Sequence, residues 1–384
     1  MEMRQYYCYK CDWNQKVDRF VQHCPKCGSA VFIKYKIPIV DESKTNFIER
    51  YANLLPILDS TKIKECGEGN TPLIRAEELE KKYSFRKLWL KDETQNPTCS
   101  TKDRIASLSL SFLYGLGIKE IGVASTGNSS TAFANAMKNY PEMKLHVFCA
   151  KKFQHRHNFQ ETENIIVYEN DSDYATMSKQ AKAFCENNNI VWEGGFFNVA
   201  RRDGLKTAYL EAFEQTDEDP DYVVQAISSG MGLLGAAQGI EEFLRIGKLK
   251  KTPKLIAVQQ QRCCPMVKAW ENGEYIDDFN YENPEGLAEA ILRGKSDNLY
   301  DYVKKIIEDT QGTFVSVTDE EIIEAKIMLN ENENINACYA SATALAGTIK
   351  LRKNGFIGED ESVVVNITGG VRDESIVPHN YLKI

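Results

Sequence analysis

The sequence has no long apolar run. No stretch approaches the roughly 18 apolar residues of a membrane-spanning helix, and the N-terminal MEMRQYYCYKC lacks the apolar segment of a signal peptide. We therefore expect a cytoplasmic protein that binds no membrane. A continuous basic stripe is also absent, because acids and lysines alternate along a chain with a net charge of -8. This pattern argues against nucleic acid as a partner.

The composition is that of a globular protein larger than one domain. Hydrophobic residues make up 42% and charged residues 27% of 384 residues, so two lobes and an appendage are expected. The chain has 11 cysteines, but at this length it needs no disulfide framework. We expect the scattered thiols, including the adjacent Cys263 and Cys264, to be reduced and inert.

The middle of the chain alternates between short β-branched runs and longer amphipathic stretches. This alternation begins near residue 85 and predicts parallel sheets covered by helices, an α/β fold. Residues 262–312 are richer in Gly, Asn and Pro, and we expect an irregular excursion there. Predicted helices start at Lys102 and Ser129 and cover residues 175–187, 235–246 and 337–353, and a last strand covers residues 362–367.

Four cysteines near the N-terminus have the spacing of a metal ribbon. Cys8, Cys11, Cys24 and Cys27 form a C-x2-C-x12-C-x2-C pattern, in which four thiolates can surround a tetrahedral Zn²⁺ ion. The alternatives are an iron site and a former metal site that no longer binds an ion. A closed four-sulfur site is structural, so we expect chelation to unfold this module without affecting the chemistry of the body.

Three polar loops lie between a predicted strand and a predicted helix. One leads to Lys102 through NPTCSTK, the second is STGNSS from Ser125, and the third is SSGMG from Ser228. Small residues and helix-start N–H groups suit a carboxylate or a phosphate. A lysine at a helix start is usually solvated, so Lys102 alone is a weak candidate for a catalytic residue. The other two loops make it a stronger candidate. Loops at strand carboxyl ends can meet in one crevice.

These motifs, with NITGG at residues 366–370, resemble in order the fold type II pyridoxal-phosphate (PLP) enzymes. The segment GEGNTPL at residues 67–73 and the cysteine ribbon are similar to the threonine synthase branch, including its cysteate synthase relatives. The resemblance implies a two-lobed, tryptophan synthase β-like fold with PLP and structural zinc, and a homodimer. It implies a ribbon at 1–38, a large PLP-binding domain at 39–104 and 205–384, and a smaller domain at 105–204 that closes over the substrate.

The resemblance also assigns roles to residues. Lys102 becomes the Schiff-base lysine and proton shuttle, Asn128 the partner of the cofactor's 3-oxygen, and Thr368 the residue facing the pyridine nitrogen. A hydroxyl keeps that nitrogen unprotonated, which suits elimination. Ser125 and Thr126 would hold the substrate carboxylate. The phosphate cup comprises Ser228, Ser229, Gly230, Met231 and Gly232.

The chain departs from the threonine synthase pattern where the substrate phosphate is gripped. Arg201 is retained, but Gly195 and Phe196 stand where an Asn-Ser pair is usual, and Cys99 is a feature of the cysteate synthase branch. Loss of two neutral donors favours the shorter O-phosphoserine, within reach of Arg201 or Arg202. Arg202 could equally be a surface charge. The basic segment His155-Arg156-His157 either helps an anionic co-substrate or is a solvated loop.

The function expected from this resemblance is PLP-dependent loss of phosphate from a phosphorylated amino acid, followed by addition of a nucleophile. With O-phosphoserine and sulfite the enzyme would be a cysteate synthase. The alternatives are a threonine synthase acting on O-phosphohomoserine, a serine or threonine dehydratase, and an inactive PLP-fold interaction protein.

Overall fold

The computed structural model describes residues 4–36, 39–172, 174–273, 275–296, 299–372 and 377–384. The chain forms two compact units. The first unit comprises Met1–Asn70, Lys102–Gly204 and Arg372–Ile384, and the second comprises Thr71–Thr101 and Leu205–Val371. The ribbon, large and small domains expected from the sequence remain a prediction.

The second unit contains a six-stranded sheet in the order β12-β11-β10-β13-β5-β4. Its pairs are parallel except for β4 and β5, which are antiparallel. Every residue of the central strands β10 and β13 is buried, as expected for a parallel sheet covered on both faces. The strands are β4 (Leu73–Arg75), β5 (Lys87–Asp92), β10 (Tyr222–Ala226), β11 (Lys254–Gln260), β12 (Thr313–Val317) and β13 (Ser362–Ile367).

The first unit contains two sheets. An antiparallel sheet in the order β2-β1-β3 forms the ribbon, and a parallel sheet in the order β14-β8-β7-β6-β9 forms the body of the unit. The strands are β1 (Arg4–Cys8), β2 (Asn14–Lys16), β3 (Val31–Tyr35), β6 (Glu120–Ala124), β7 (Lys144–Ala150), β8 (Ile165–Asn170), β9 (Val191–Trp192) and β14 (Leu382–Lys383).

The helices follow the strands in alternation, and most begin close to the carboxyl end of a strand. They are α1 (Phe47–Arg50), α2 (Glu77–Tyr83), α3 (Lys102–Gly115), α4 (Asn128–Met137), α5 (Tyr174–Asn187), α6 (Val199–Gln215), α7 (Met231–Arg245), α8 (Pro265–Asn272), α9 (Leu299–Asp309), α10 (Asp319–Glu333) and α11 (Tyr339–Lys353). Within the described ranges, no helix is long and apolar enough to cross a bilayer.

The α/β prediction is confirmed, and the start of α3 at Lys102 and the bounds of β13 agree with the sequence expectation. The expectation of an irregular segment over 262–312 is wrong at both ends, because α8 and α9 lie there. The described residues between these two helices form only short 3-10 turns and loops, as expected. Helix α9 buries one apolar face, including Tyr302, Val303 and Ile307. The local Gly, Asn and Pro residues obscured that periodicity.

Candidate active site

The four ribbon cysteines lie together. Their sulfur atoms are all within 4.8 Å of one another, with Sγ–Sγ distances of 3.4 Å for Cys8 and Cys27 and 3.6 Å for Cys11 and Cys24. A tetrahedral zinc ion with Zn–S bonds of about 2.3 Å requires sulfurs roughly 3.8 Å apart. Gly28, which follows Cys27, has a φ of +75° and closes the second turn. The geometry of the cluster therefore fits zinc.

In the second unit, the loop after β10 has the form of a phosphate site. Helix α7 starts after Gly230 with no side-chain cap and no acidic residue in its first turn, so its N–H groups remain available for an anion. Gly230 has a φ of +75°, and a Cβ there would lie 2.2 Å from Val303 Cγ2. A Cβ on Gly232 would lie 2.2 Å from Gln225 Nε2. Gly230 therefore requires glycine, a side chain at position 232 would displace the Gln225 amide, and the bare backbone at both positions can approach a phosphate closely.

A buried polar network lies beneath this loop. Tyr209 Oη donates to Gln225 Oε1, and Asn366 Nδ2 lies 3.1 Å from Tyr209 Oη and 3.3 Å from Gln225 Oε1. Asn366 belongs to β13, which neighbours β10. No sequence pattern indicated that Tyr209 supports the loop, because it is a buried residue of a helix. The network holds Gln225 against Gly232 and orders the strand ends.

Thr368 follows β13, and the segment before Lys102 is hydrogen-bonded to it. The Thr101 amide donates to the Thr368 carbonyl at 2.9 Å, and Ser100 forms a bridge with Gly369. Because β5, β10 and β13 are parallel neighbours, the segments that follow them lie at one edge of the sheet. The loop after β10 and Thr368 are thus brought to the same edge, as expected for segments that follow parallel strands.

Lys102 differs electrostatically from the fully buried lysines of the second unit. Lys91 Nζ lies 2.9 Å from Glu211 Oε2, and Lys206 Nζ lies 3.0 Å from Glu242 Oε1. Lys102 is partly buried at the first position of α3, where burial, with the nearby Arg201 as second cause, lowers its pKa to about 8. More of its amine is neutral at physiological pH than in an ordinary lysine, as a nucleophile or base requires.

The loop between β6 and α4 is built around Ser125. Its Oγ accepts hydrogen bonds from the amides of Gly127 (3.0 Å) and Ser130 (3.1 Å), and keeps its own proton to donate. Gly127 has a φ of +126°, and a Cβ there would lie 2.6 Å from Arg156 Cβ. Thr126 is partly exposed. Ser125 therefore shapes the loop as well as being a candidate carboxylate donor.

Arg372 is a residue that the sequence reasoning missed. Its Nη2 donates to Asn128 Oδ1 at 2.7 Å and to the Arg156 carbonyl at 3.2 Å. Since an arginine is only a donor, this bond orients the Asn128 amide and leaves Nδ2 as its outward donor. Arg372 and Asn128 are 244 residues apart, and no motif in the sequence connects them.

Arg201 and Arg202 are adjacent in the chain but have different surroundings. Arg201 Nε lies 2.5 Å from Glu193 Oε1, and its Nη1 lies 3.3 Å from Ser129 Oγ at the start of α4. Arg202 is 1% exposed, and its guanidinium donates to the carbonyls of Phe196 and Val31. Arg202 is therefore not a surface charge, and its role in holding substrate remains a prediction.

The segment His155-Arg156-His157 is not a solvated basic loop throughout. His157 is 1% exposed, and burial, followed by the neighbouring His379, lowers its pKa to about 3. A neutral imidazole cannot attract an anion by charge, so His157 does not serve as a cation for a co-substrate. Its carbonyl lies 3.1 Å from His379 Nε2, which ties the C-terminal segment to this region.

Comparisons with known proteins identify the relatives of this chain. Residues 65–369 match the family model described as pyridoxal-phosphate dependent enzyme. The threonine synthase of Methanocaldococcus jannaschii is 32% identical over 384 residues, which cover 95% of this chain and 92% of the relative. The cysteate synthase of Methanococcoides burtonii is 28% identical over 396 residues, covering 98% and 93%.

Solved structures show the same fold. The crystal structure of a threonine deaminase from T.th. has a TM-score of 0.64 at 19% identity, covering 79% of this chain and 94% of that chain. The processed threonine deaminase isoform 2 of Solanum lycopersicum has a TM-score of 0.66 at 18% identity, covering 88% and 96%. The resemblance to fold type II is confirmed, and the chain belongs to the pyridoxal-phosphate dependent enzyme family, as an enzyme of its lyase and synthase type.

Proposed function

We propose that the enzyme removes phosphate from a phosphorylated amino acid and adds a small nucleophile to the unsaturated product. The favoured substrate is O-phosphoserine, with sulfite as nucleophile, as in a cysteate synthase. The observation that carries this proposal is the position of Arg201. It is close enough to Lys102 to lower the amine's pKa, and it contacts the start of α4. A fixed arginine beside the reactive lysine suits a dianionic leaving group.

In this proposal Lys102 binds the cofactor through Nζ and later takes the α-proton of the substrate with the same atom. Bound PLP supplies an electron sink for the charge left at the α-carbon. The residues around α7 fit the cofactor phosphate, since the helix start is uncapped and its glycines allow close approach. The lowered pKa lets Lys102 act as a base near neutral pH.

The loop at residues 125–128 would hold the substrate carboxylate and the cofactor ring. Ser125 and Thr126 offer hydroxyl protons, and the start of α4 offers backbone N–H groups. Asn128 would present Nδ2 to the cofactor's 3-oxygen, since its Oδ1 is held by Arg372. Thr368 would face the pyridine nitrogen, where a hydroxyl leaves the ring unprotonated and favours elimination.

Phe196 supports a short substrate. It is buried, and the Arg202 guanidinium lies 5.4 Å from its ring centroid. An aromatic ring supplies no neutral donor to a phosphate, so the grip would depend on Arg201. A phosphate on the β-carbon, as in O-phosphoserine, would lie nearer Lys102 than one on the γ-carbon.

Threonine synthase activity on O-phosphohomoserine is the second candidate. The threonine synthase of M. jannaschii is 32% identical, above the 28% of the M. burtonii cysteate synthase. Zinc in the ribbon, a homodimer and a cytoplasmic location are further proposals that the resemblance supports.

The visible spectrum of the purified enzyme separates these possibilities. It would be recorded before and after separate addition of O-phospho-L-serine and O-phospho-L-homoserine, with phosphate release measured in parallel. A spectral change and phosphate release with phosphoserine alone support the proposal, and sulfite would then be tested as nucleophile. A response to phosphohomoserine alone would establish threonine synthase instead. Lack of any cofactor band would refute the enzyme function.

A further inference from the structure

The ribbon packs against the segment that carries Arg201. Gln22 Nε2 donates to the Trp192 carbonyl at 2.5 Å, and the His23 ring lies 4.1 Å from the Phe197 ring between centroids. A Cβ at Gly194 would lie 2.7 Å from Gln22 Cδ. Residues 1–70 and 102–204 belong to one compact unit, so these contacts are internal to it.

Arg202 and Asp203 make buried polar contacts with strand β3 of the ribbon. The Arg202 guanidinium donates to the carbonyl of Val31 in β3 and lies 4.5 Å from the centroid of the Phe32 ring. Tyr35 Oη, at the end of the same strand, donates to Asp203. Asp203 is 2% exposed, and buried polar groups of this kind hold geometry firmly because breaking them leaves unpaired charge.

Arg202 and Asp203 lie within the first five residues of α6, next to Arg201. Consecutive helix residues point about 100° apart, so fixing the side chain of Arg202 also fixes the direction of Arg201. On the other side, Glu193 Oε1 lies 2.5 Å from Arg201 Nε and accepts from Asn198 Nδ2 at 2.8 Å. Arg201 is thus held between Glu193 and a helix turn that is fastened to the ribbon.

We propose that Arg202 and Tyr35 are positioning residues through which the cysteine ribbon holds Arg201 toward Ser129. This inference rests on the function proposed above, because the ribbon would support the binding of the substrate phosphate by Arg201. It differs from the expectation that loss of the metal leaves the chemistry of the body untouched. Breaking the ribbon weakens substrate binding and leaves the cofactor bound.

The test uses the full-length, PLP-loaded enzyme in six forms: wild type, Arg202→Met, Arg202→Lys, Tyr35→Phe, the double variant Cys24→Ser/Cys27→Ser, and that double variant combined with Arg202→Met. Arg19→Met is the matched control, because Arg19 lies in the ribbon and its Nη2 donates to Gln15 Oε1 at 2.9 Å. Three quantities are measured: hydrogen exchange of residues 193–204 without substrate, the visible cofactor band, and kcat and KM for O-phospho-L-serine.

We expect Arg202→Met, Tyr35→Phe and the cysteine double variant to keep the cofactor band and to speed exchange of residues 193–204. Their KM should rise about tenfold, the effect of losing one hydrogen bond to a charged group, with little change in kcat. Arg202→Lys keeps one donor and should recover part of the loss. Adding Arg202→Met to the cysteine double variant should raise KM no further, because both act through the same contact.

A different pattern overturns the inference. If Arg202 touches the substrate directly, Arg202→Met raises KM without changing exchange, and the cysteine double variant leaves KM at the wild-type value. An unchanged hydrogen-exchange rate of residues 193–204 in both Arg202→Met and the cysteine double variant also overturns it. Equal changes in exchange and KM for Arg19→Met and Arg202→Met would overturn it as well. If the wild type shows a cofactor band but turns over neither phosphorylated amino acid, the proposed function fails, while the exchange data still decide whether the ribbon orders residues 193–204.

Discussion

Arg372 Nη2 donates a 2.7 Å hydrogen bond to Asn128 Oδ1. The amide of an asparagine can present either its oxygen or its nitrogen to a ligand. Because a guanidinium only donates, Arg372 selects the orientation in which Nδ2 is the free donor, and its charge makes that donor stronger. In the proposed site, this is the orientation in which Asn128 would donate to the negatively charged 3-oxygen of PLP.

Removing this guanidinium should weaken cofactor binding. We expect Arg372→Met to lower the affinity for PLP by about tenfold or more, as for loss of a hydrogen bond to a charged group. Arg372→Lys keeps a donor and should lose less. The measurement is a PLP titration of apo-enzyme followed by protein fluorescence.

His379→Gln is the matched control, since His379 ties the C-terminal segment to the His157 carbonyl without contacting Asn128. Its PLP affinity should stay within about twofold of wild type. In an Asn128→Ala background, Arg372→Met should have no added effect. Equal losses in His379→Gln and Arg372→Met would show general loosening instead of amide orientation.

Cofactor uptake should depend on pH through Lys102. Its pKa is lowered to about 8 by burial and then by Arg201, so the neutral, nucleophilic amine increases as pH rises and dominates above pH 8. The rate of covalent PLP attachment to apo-enzyme should therefore rise up to about pH 8 and then level off. Stopped-flow absorbance across a pH series measures this rate.

Arg201→Met removes the like charge and should move that pH profile toward higher pH. Lys102→Ala should form no covalent adduct that borohydride reduction can trap, whereas Lys206→Ala should still form one if it folds. A wild-type profile that still rises steeply above pH 9 would contradict the lowered pKa. An adduct in Lys102→Ala would show that the lysine is wrongly assigned.

Gly230→Ala should destabilise the loop between β10 and α7. A Cβ there meets Val303 and the backbone has a φ of +75°, so overpacking and strain together should cost roughly 2–5 kcal/mol. Gly247 has a φ of +74° but nothing within 4 Å of its position for a Cβ, so Gly247→Ala should cost only about 1–2 kcal/mol. Denaturant unfolding of both apo-proteins measures the difference in the free energy of unfolding. Equal losses of stability in the two variants would show that the Val303 side chain moves to accommodate the new Cβ.

The cysteine cluster should bind one zinc ion per chain, as its sulfur distances indicate. Cys24→Ser should lose the metal, whereas Cys66→Ser, outside the ribbon, should keep it. Metal analysis of the purified variants measures this. Because metal binding supplies the folding energy of so small a module, chelation should expose residues 4–36 to proteolysis. Metal retained in Cys24→Ser would refute the site.

Glu68→Gln should change the pH dependence of stability. Glu68 is 3% exposed, and burial raises its pKa above the ordinary value of 4.5. The native state therefore holds this proton longer than the unfolded state, so its stabilising effect is complete below pH 4.5 and is lost as pH rises through the raised pKa. A neutral glutamine avoids that loss.

The unfolding midpoint of Glu68→Gln should accordingly exceed that of wild type at neutral pH, with a gap that closes as pH falls toward 4.5. Glu285→Gln, at an exposed side chain, should match wild type within about 0.5 kcal/mol throughout. A gap that widens on acidification would show that the Glu68 carboxylate is stabilised when charged.

Local patterns in the sequence predicted much of the fold. The alternation of β-branched runs and amphipathic stretches depends on neighbours a few residues apart, and so do the cysteine spacing and the glycine loops. The sequence therefore placed Lys102 at the start of α3 and Gly230 before α7. It missed α8 and α9, whose apolar faces are interrupted by turn-forming residues nearby.

The sequence by itself determined the alternation of strands and helices outside residues 262–312 and the residue types that each polar loop carries. Only the tertiary structure decided which partners each charged side chain has. Arg201 and Arg202 have the same chemistry and adjacent positions, yet Ser129 lies beside one and Val31 beside the other. Burial and charge at a side chain are set by residues far away in the chain, and for that reason the orientation of Asn128 by Arg372 could not be predicted from either local motif.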